Sequence, residues 1–449
     1  MRRRFSRSWP LLTALAGCLG SSFAAADSLR DVVERTVQTN PEVAALRANR
    51  LATDEELEAA KGLGRPRLDV RGAAGYVAHD EASLGGAGYE ADTYRREVSG
   101  IASMPLFDGW KTYYEVDRQG NRVNSARHRV ADTANSIALQ AVQAYLEVQR
   151  AQAVLEIAEE NVGAHREILG RVQARANAGK SARSEAVQAE ARLNAAEAAR
   201  VEAQARFIDA QSLYISVVGD APAGLAPVSI PGHMLPASAE EAVERAVADA
   251  PSLIALHHDV LSAEAEVGTA ESEFYPKLDV EVAGRVKDDT DHNYTDEQEV
   301  SVQLVLKKNL YNGGIDSARV RETKHRIDQS RSIEANARRL IEKEVRLSWL
   351  AMQSAKQRAT LLAEQVENNQ ALVAAYTGQF ELGERSLMDI LDVQNEIFTA
   401  RSDLVTERYA RVYNAYRLLA AMGSLLQALE VAMPEEALTE PDLWQAFVP

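Results

Sequence analysis

Cysteine is nearly missing: the 449-residue chain has one, Cys18. It falls in a segment that reads as an export leader. Arg2, Arg3, Arg4 and Arg7 form a positive start, "LLTALAGCLG" (11–20) a short apolar stretch, and Ala24–Ala26 an A-x-A cleavage site. Cleavage after Ala26 leaves no thiol and no disulfide. "LAGC" (15–18) reads alternatively as a lipoprotein cleavage box that makes Cys18 a lipid anchor. Long apolar runs are also missing, so the mature chain has no helical membrane span. Aromatics are only 6%, which argues against a compact aromatic-rich core. Proline is absent between Pro105 and Pro222 and between Pro276 and Pro434, so nothing there interrupts a helix. Basic excess is absent too. The charge is −16, or −20 without the four leader arginines, which weighs against a nucleic-acid partner.

Catalytic patterns are equally scarce. The eight histidines show no metal-ligand spacing, and the adjacent His257 and His258 would diverge on a helix. "AGKS" (178–181) ends like a phosphate loop, but Ala174 stands where that loop needs glycine. No Ser/His/Asp arrangement stands out. The reading is a non-enzyme without cofactor or metal.

What is there is a duplication. "LFDGW" (106–110) returns as "LYNGG" (310–314), and the offset of 204 holds through "AGK"/"LGE" (178–180, 382–384) to "VVG"/"AMG" (217–219, 421–423). Upstream the offset is 210: "SLRDVVERTVQTNP" (28–41) matches "SAEEAVERAVADAP" (238–251), and "RPRLDV" (65–70) matches "YPKLDV" (275–280). The change of six places one insertion in the loop between. The chain therefore divides into a leader (1–26), a first repeat (27–237), a second repeat (238–423) and a tail (424–449).

Each repeat predicts a short helix, a medium helix (41–63, 251–273), two alternating stretches, a very long helix, a glycine turn and a return helix. A helix over 108–175 is about 100 Å long at ~1.5 Å per residue. On the last return helix Leu391, Phe398, Val405, Val412 and Leu419 fall seven apart, beside Ile390, Ile397, Leu404 and Leu418, with Arg411 interrupting that second row. Seven-residue repeats supercoil against partners. In the alternating stretches, Leu278, Val280, Val282 and Val286 interleave with Asp279, Glu281, Arg285 and Lys287, and Val300 to Leu306 behave alike. The first repeat alternates more weakly over 66–78 and 95–106. Runs of about ten residues suit tilted membrane strands, apolar face to lipid and charged face to water. Four strands cannot close a barrel and open edges are not tolerated in lipid, so the barrel must be shared; three chains give twelve strands and a lumen.

Together the leader, the duplicated unit, Asn40-Pro41, "PLFDG" and "GERSLMDILDVQNE" (383–396) resemble the TolC-type outer-membrane channel family, over nearly all of 28–423. The resemblance implies a mainly α fold with a membrane β-barrel. A homotrimer would build a twelve-stranded outer-membrane barrel on a long coiled-coil α-helical barrel reaching through the periplasm. "FDGW…YYEVDRQGNRVNSARHRV" and the 383–396 segment look most like the type I secretion branch. Its partners are a periplasmic adaptor, an inner-membrane ABC transporter and large protein cargo. The alternative is the multidrug-efflux branch. A structural coiled-coil surface protein is the rival of another class, and the paired amphipathic strands and the leader count against it.

Two carboxylates stand out, Asp389 and Asp392. Ser386 with Asp389 fits a capping box; Asp392 lies beyond the reach of that explanation. At offset 204 they match Glu185 and Gln188. The resemblance implies that both point into the tunnel at its periplasmic aperture. Three copies would stack two acidic rings, repelling by roughly 1–4 kcal/mol per close pair and favouring cations. It also implies polar links holding the aperture shut, carried here by Arg385, Glu185 and Ser184. Phe380 lacks the hydroxyl that one link would use. Gly179 and Gly383 mark the hairpin turns. Asp108, Gly109, Asn312 and Gly313 mark the strand-to-helix junctions.

Overall fold

The computed structural model describes residues 27–81, 89–179, 182–289 and 297–441. The leader with Cys18, and Lys180 and Ser181 of "AGKS", lie outside the described residues.

Each repeat opens on capped helices. Ser28 Oγ accepts from Asp31 N–H (3.2 Å) to start α1 (Leu29–Thr39), and Asn40 Oδ1 accepts from Glu42 N–H (2.8 Å) to start α2 (Pro41–Gly62). Strands β1 (Arg67–Glu81) and β2 (Tyr89–Phe107) follow, then α3 (Lys111–Asn177) and α4 (Arg183–Val218). The second repeat restarts at α5 (Ala239–Asp249), where Ser238 Oγ accepts from Glu241 N–H (3.1 Å), and α6 (Pro251–Glu271), whose first residue is again proline. Proline suits that position because its missing N–H has no helical partner to lose. Then come β3 (Lys277–Asp289), β4 (Glu297–Lys307), α7 (Ile315–Leu382) and α8 (Leu387–Ala421). Two short helices, α9 (Leu425–Ala428) and α10 (Glu435–Leu438), end the described chain.

The four strands form one antiparallel sheet in the order β1-β2-β3-β4, with a bulge between Pro105 and Phe107. Both outer edges, β1 and β4, are unpaired among the described residues. The strands of the first repeat exceed the ten residues expected from their alternation. β1 pairs with β2 from Arg67↔Ser103 to Glu81↔Tyr89, whereas β3 pairs with β4 only from Lys277↔Lys307 to Lys287↔Glu297. The six-residue insertion therefore lengthens the paired strands of the first hairpin, not its loop as the offset suggested. Its alternation was weak because Gly72, Ala73, Ala74 and Gly75 carry too little side chain to show a polar or apolar face.

The helices explain themselves by their seven-residue rows. On α3, Val116, Val123, Val130, Ile137, Ala144, Ala151, Ala158, His165 and Val172 are all buried. On α4, Ala189, Ala196, Ala203 and Ala210 are buried at the same step. A row of alanines lets α4 lie close along α3, and each buried methyl adds roughly 0.8 kcal/mol of hydrophobic stabilisation. On α8 the ends of the expected row, Leu391 and Leu419, are fully buried and its middle, Phe398, Val405 and Val412, is half-buried, with Ile390, Ile397, Leu404 and Leu418 buried beside it.

The main core sits at mid-height, where α1, α5 and α9 gather round α3, α4 and α8. There the hydroxyl of Tyr145 sits between the carbonyls of Asp27 (2.8 Å) and Ala226 (2.7 Å), and Tyr416 donates to Ser229 O (2.9 Å). These bonds strap the inter-repeat linker to the bundle. The tail joins the same layer: Leu425 and Leu426 are fully buried, Arg47 pairs with Glu436 (2.8 Å), and Arg50 donates to Thr439 O (3.0 Å).

Candidate channel aperture

At one end of the molecule lie the two helical turns. Gly383 has φ +82°, and its turn is closed by Glu384 N–H to Gln379 O (2.9 Å) and Gly383 N–H to Phe380 O (3.0 Å). This is the left-handed ending that favours glycine. Gly179, at φ +69°, turns the α3–α4 hairpin. Beneath the turns Val172, Ala189, Leu387 and Leu391 make a small core that joins the two hairpins.

Asp389 caps α8. Its N–H donates to Ser386 Oγ (3.3 Å) and its Oδ2 accepts from Ser386 N–H (3.4 Å), a complete capping box. Asp392 is exposed one turn further along and accepts from Arg192 of α4 (2.8 Å), joining the two hairpins by charge. Arg385 lies on its own hairpin: its Nε donates to Gln379 Oε1 (3.2 Å), its guanidinium covers the Tyr376 ring at 4.1 Å, and Asp389 Oδ2 stands 3.7 Å away. Ser184 is exposed and Glu185 half-buried on the first turn of α4.

Phe380 turns inward. Arg175 covers its ring at 4.6 Å and reaches its carbonyl at 3.4 Å. Beside it an open cavity of about 420 Å³ is lined by Glu167, Arg171, Thr377 and Glu381 among others. Sequence reasoning missed Arg192, Tyr376 and Arg175. Tyr376 had a local signal, since it precedes Phe380 by one helical turn and carries the hydroxyl that Phe380 lacks. Arg192 could have been found by counting turns back from each hairpin loop.

At the other end the sheet separates two environments. Leu68, Val70, Val302 and Leu304 point out, each at least 70% exposed. The opposite face carries charges in pairs: Arg95 donates to Glu97 (2.9 Å), and Lys307 stands within 3.6 Å of Asp279 and 3.5 Å of Glu281. An apolar outside and a charged inside is the pattern of a strand set between lipid and water. The junctions are tight. Asp108 Oδ2 accepts from Thr112 N–H (2.8 Å) at the head of α3, and Gly109 has φ +72° with Ser272 O only 2.6 Å from where a Cβ would stand. Asn312 donates to Asp316 Oδ1 (3.0 Å) and Gly313 has φ +59°, repeating the junction before α7.

A sheet with one lipid-type face, carried on α-helical hairpins about 100 Å long by the rise per residue, defines the protomer of an outer-membrane channel. Solved structures share the fold. The transmembrane channel CusC superposes with a TM-score of 0.77 at 16% identity, covering 90% of this chain and 92% of that one, and the outer-membrane channel OprN gives 0.76 at 17%, covering 88% and 90%. In sequence the chain is 25% identical to the outer membrane efflux protein BepC of Brucella suis biovar 1, over 92% of this chain and 90% of that protein. It is 24% identical to the alkaline protease secretion protein AprF of Pseudomonas aeruginosa, over 71% and 67%. The sequence model of the outer membrane efflux protein family matches residues 32–214 and again 242–424, once for each repeat. The chain belongs to that family, and its place is the outer membrane.

Proposed function

We propose that three copies of this chain form the outer-membrane exit duct of a type I secretion system that exports large proteins. The observation that carries the duct is the four-stranded sheet, apolar outside and charged inside, with two edges that only further copies can close. The helices carry matching seams. Val187, Val201, Ile208 and Ile215 leave an exposed row on α4, and Ile333, Leu340, Leu347 and Leu361 leave one on α7, both at multiples of seven. Pairing α4 of one copy with α7 of the next buries both rows. The secretion branch is supported by the 107–130 and 383–396 segments and by the likeness to AprF. An adaptor and an ABC transporter would be its partners.

The aperture would sit at the hairpin tips. Asp389 and Asp392 from three copies would form its acidic rings, and Arg385 would reach Ser184 and Glu185 of the neighbouring copy when shut. Opening would move the α7–α8 hairpin against α3–α4. The efflux reading is favoured by the likeness to BepC. Deleting the gene tests the choice, with mass spectrometry of the culture supernatant beside a drug-susceptibility panel. Loss of one or two very large proteins with drug tolerance intact is the expected result. An unchanged supernatant with new drug sensitivity assigns the duct to efflux.

A further inference from the structure

The charged face of the sheet gathers three arginines on neighbouring strands. Arg71, Ser99, Arg285 and Glu299 stand on one rung across all four strands. On the next rung outward Ala73 aligns with Glu97, Lys287 and Glu297, and on the one after that Gly75 aligns with Arg95 and Asp289. Arg95 and Arg285 thus meet on one carboxylate, Glu97, and Arg71 of β1 lines the same concavity. Glu97 takes Arg95 at 2.9 Å and lies 3.0 Å from Arg285 Nε. The Nε atoms of both arginines are buried without an acceptor in line. Arg71 has no partner among the described residues. The three side chains surround an open concavity of about 420 Å³, hollowed where β1 has only Ala73 and Gly75. Nearer the helices the same face is balanced, Lys307 answering Asp279 and Glu281.

We propose that Arg71, Arg95 and Arg285 form an anion-binding belt inside the barrel, taking multivalent oxyanions. Guanidinium groups present planar pairs of donors that match phosphate and carboxylate. Glu97 organises the arginines and competes with the ligand. Glu299, one strand beyond Arg285, and Glu297 and Asp289, which the register sets across from Lys287 and Arg95, temper the charge of the belt. Low-dielectric walls focus the field of such a ring into the lumen. With acidic rings at the aperture, passengers would enter past carboxylates and leave past guanidinium groups. The belt depends on the barrel alone and holds for either class of passenger.

The test uses purified full-length channel in planar bilayers at low salt, with tripolyphosphate added to the barrel side. A reversible block is expected. Glu97→Gln, which removes the competing carboxylate, should lower the half-blocking concentration at least threefold. Arg95→Gln with Arg285→Gln should raise it at least tenfold. Raising KCl to about 1 M should suppress the block as the screening length falls to about 3 Å. A half-blocking concentration unchanged in Glu97→Gln, or raised by it, overturns the belt. That variant decides alone if the double variant fails to insert. Absence of any conductance in the parent protein would instead overturn the duct.

Discussion

The two long hairpins descend from one duplicated unit and have nearly equal lengths, yet they bury themselves differently. On α3 a buried row runs from Val116 to Val172, enclosed by α2, α4, α6, α8 and the tail. On α7 only Thr323, Val345, Ser348, Met352, Ala355 and Asn369 are buried. Duplication kept the heptads and divided the labour. The first hairpin is the scaffold of the protomer. The second leaves its apolar row exposed, and near the tip it touches the first through a small core, the Arg192–Asp392 and Arg171–Glu381 ion pairs and Arg175 on Phe380. A leaf held this way can move while the scaffold stays folded.

The sharpest break of this comparison is at matched positions. Tyr145 is fully buried with two carbonyls at its hydroxyl, while its counterpart Trp349 is only partly covered. Tyr145→Ala should cost about 3–5 kcal/mol, and Trp349→Ala under about 2 kcal/mol, in thermal unfolding followed by circular dichroism. Equal losses would dissolve the distinction between scaffold and leaf. Next come the seams. Ile208→Glu on α4 or Leu340→Glu on α7 should leave the protomer folded and shift the assembly on native gels by at least tenfold in concentration, because a charge is placed in a row that only a neighbour buries.

A smaller effect separates the helices by pH. His128 of α3 stacks on His258 of α6 with ring centroids 5.8 Å apart, and His258 Nδ1 meets Asn121 Oδ1 at 3.1 Å. Burial, with Arg127 close by, pushes His128 down to about 4, and burial lowers His258 as well; His257 and Arg127 add to that while Asp259 opposes it. The folded pKa lies below the unfolded value, so folding disfavours the proton. Stability is full above about pH 6.5 and declines as pH falls towards 4. For a half-buried ring the loss is about 1–2 kcal/mol. His128→Gln should flatten the melting temperature over that window, and an unchanged slope would remove His128 as its source.

Smaller still is the tie at the tip. An exposed ion pair contributes about 0–1 kcal/mol, but in the proposed trimer Arg192–Asp392 would act three times on one opening. Arg192→Gln should raise vancomycin sensitivity without lowering the melting temperature, and Arg192→Asp with Asp392→Arg should restore resistance. Sensitivity that persists in the swapped pair would assign the effect to charge in the aperture and not to the tie.

What could be read in advance was periodic or local. Capping residues, the turn glycine Gly383, the α8 row and the strand alternation each show themselves within a few turns of chain. The Ser386–Asp389 box was visible for that reason. The partner of Asp392 was not, because Arg192 lies 200 residues away and their meeting depends on how closely the Ala189–Ala210 row lets α4 approach. The tail was opaque for the same reason, since Leu425 and Leu426 mean little until α3 offers them a surface.

The smallest effect lies at the paired junctions. At offset 204 Trp110 corresponds to Gly314, and both residues adopt the left-handed region, at φ +69° and +83°. Glycine does so freely; any other residue incurs roughly 1–2 kcal/mol. Trp110 offsets this by meeting Phe107 edge-on at 6.0 Å and Tyr113 at 6.4 Å, contacts worth about 0.5–1.5 kcal/mol each. Its side chain is 58% exposed just below the sheet, where an indole anchors a protein to the membrane surface. Trp110→Gly should therefore change stability in detergent by under about 1 kcal/mol, because relief of strain and loss of contacts nearly cancel. In reconstituted bilayers the same variant should melt measurably lower than the parent. Gly314→Trp has open space for its side chain and, with Tyr311 in the place of Phe107 but Ser317 in the place of Tyr113, one aromatic neighbour where Trp110 has two, so it should show most of the backbone cost, about 1–2 kcal/mol. If that substitution proves neutral, the two junctions are not equivalent, and Trp110 is held left-handed by its surroundings and not by the turn the duplication copied.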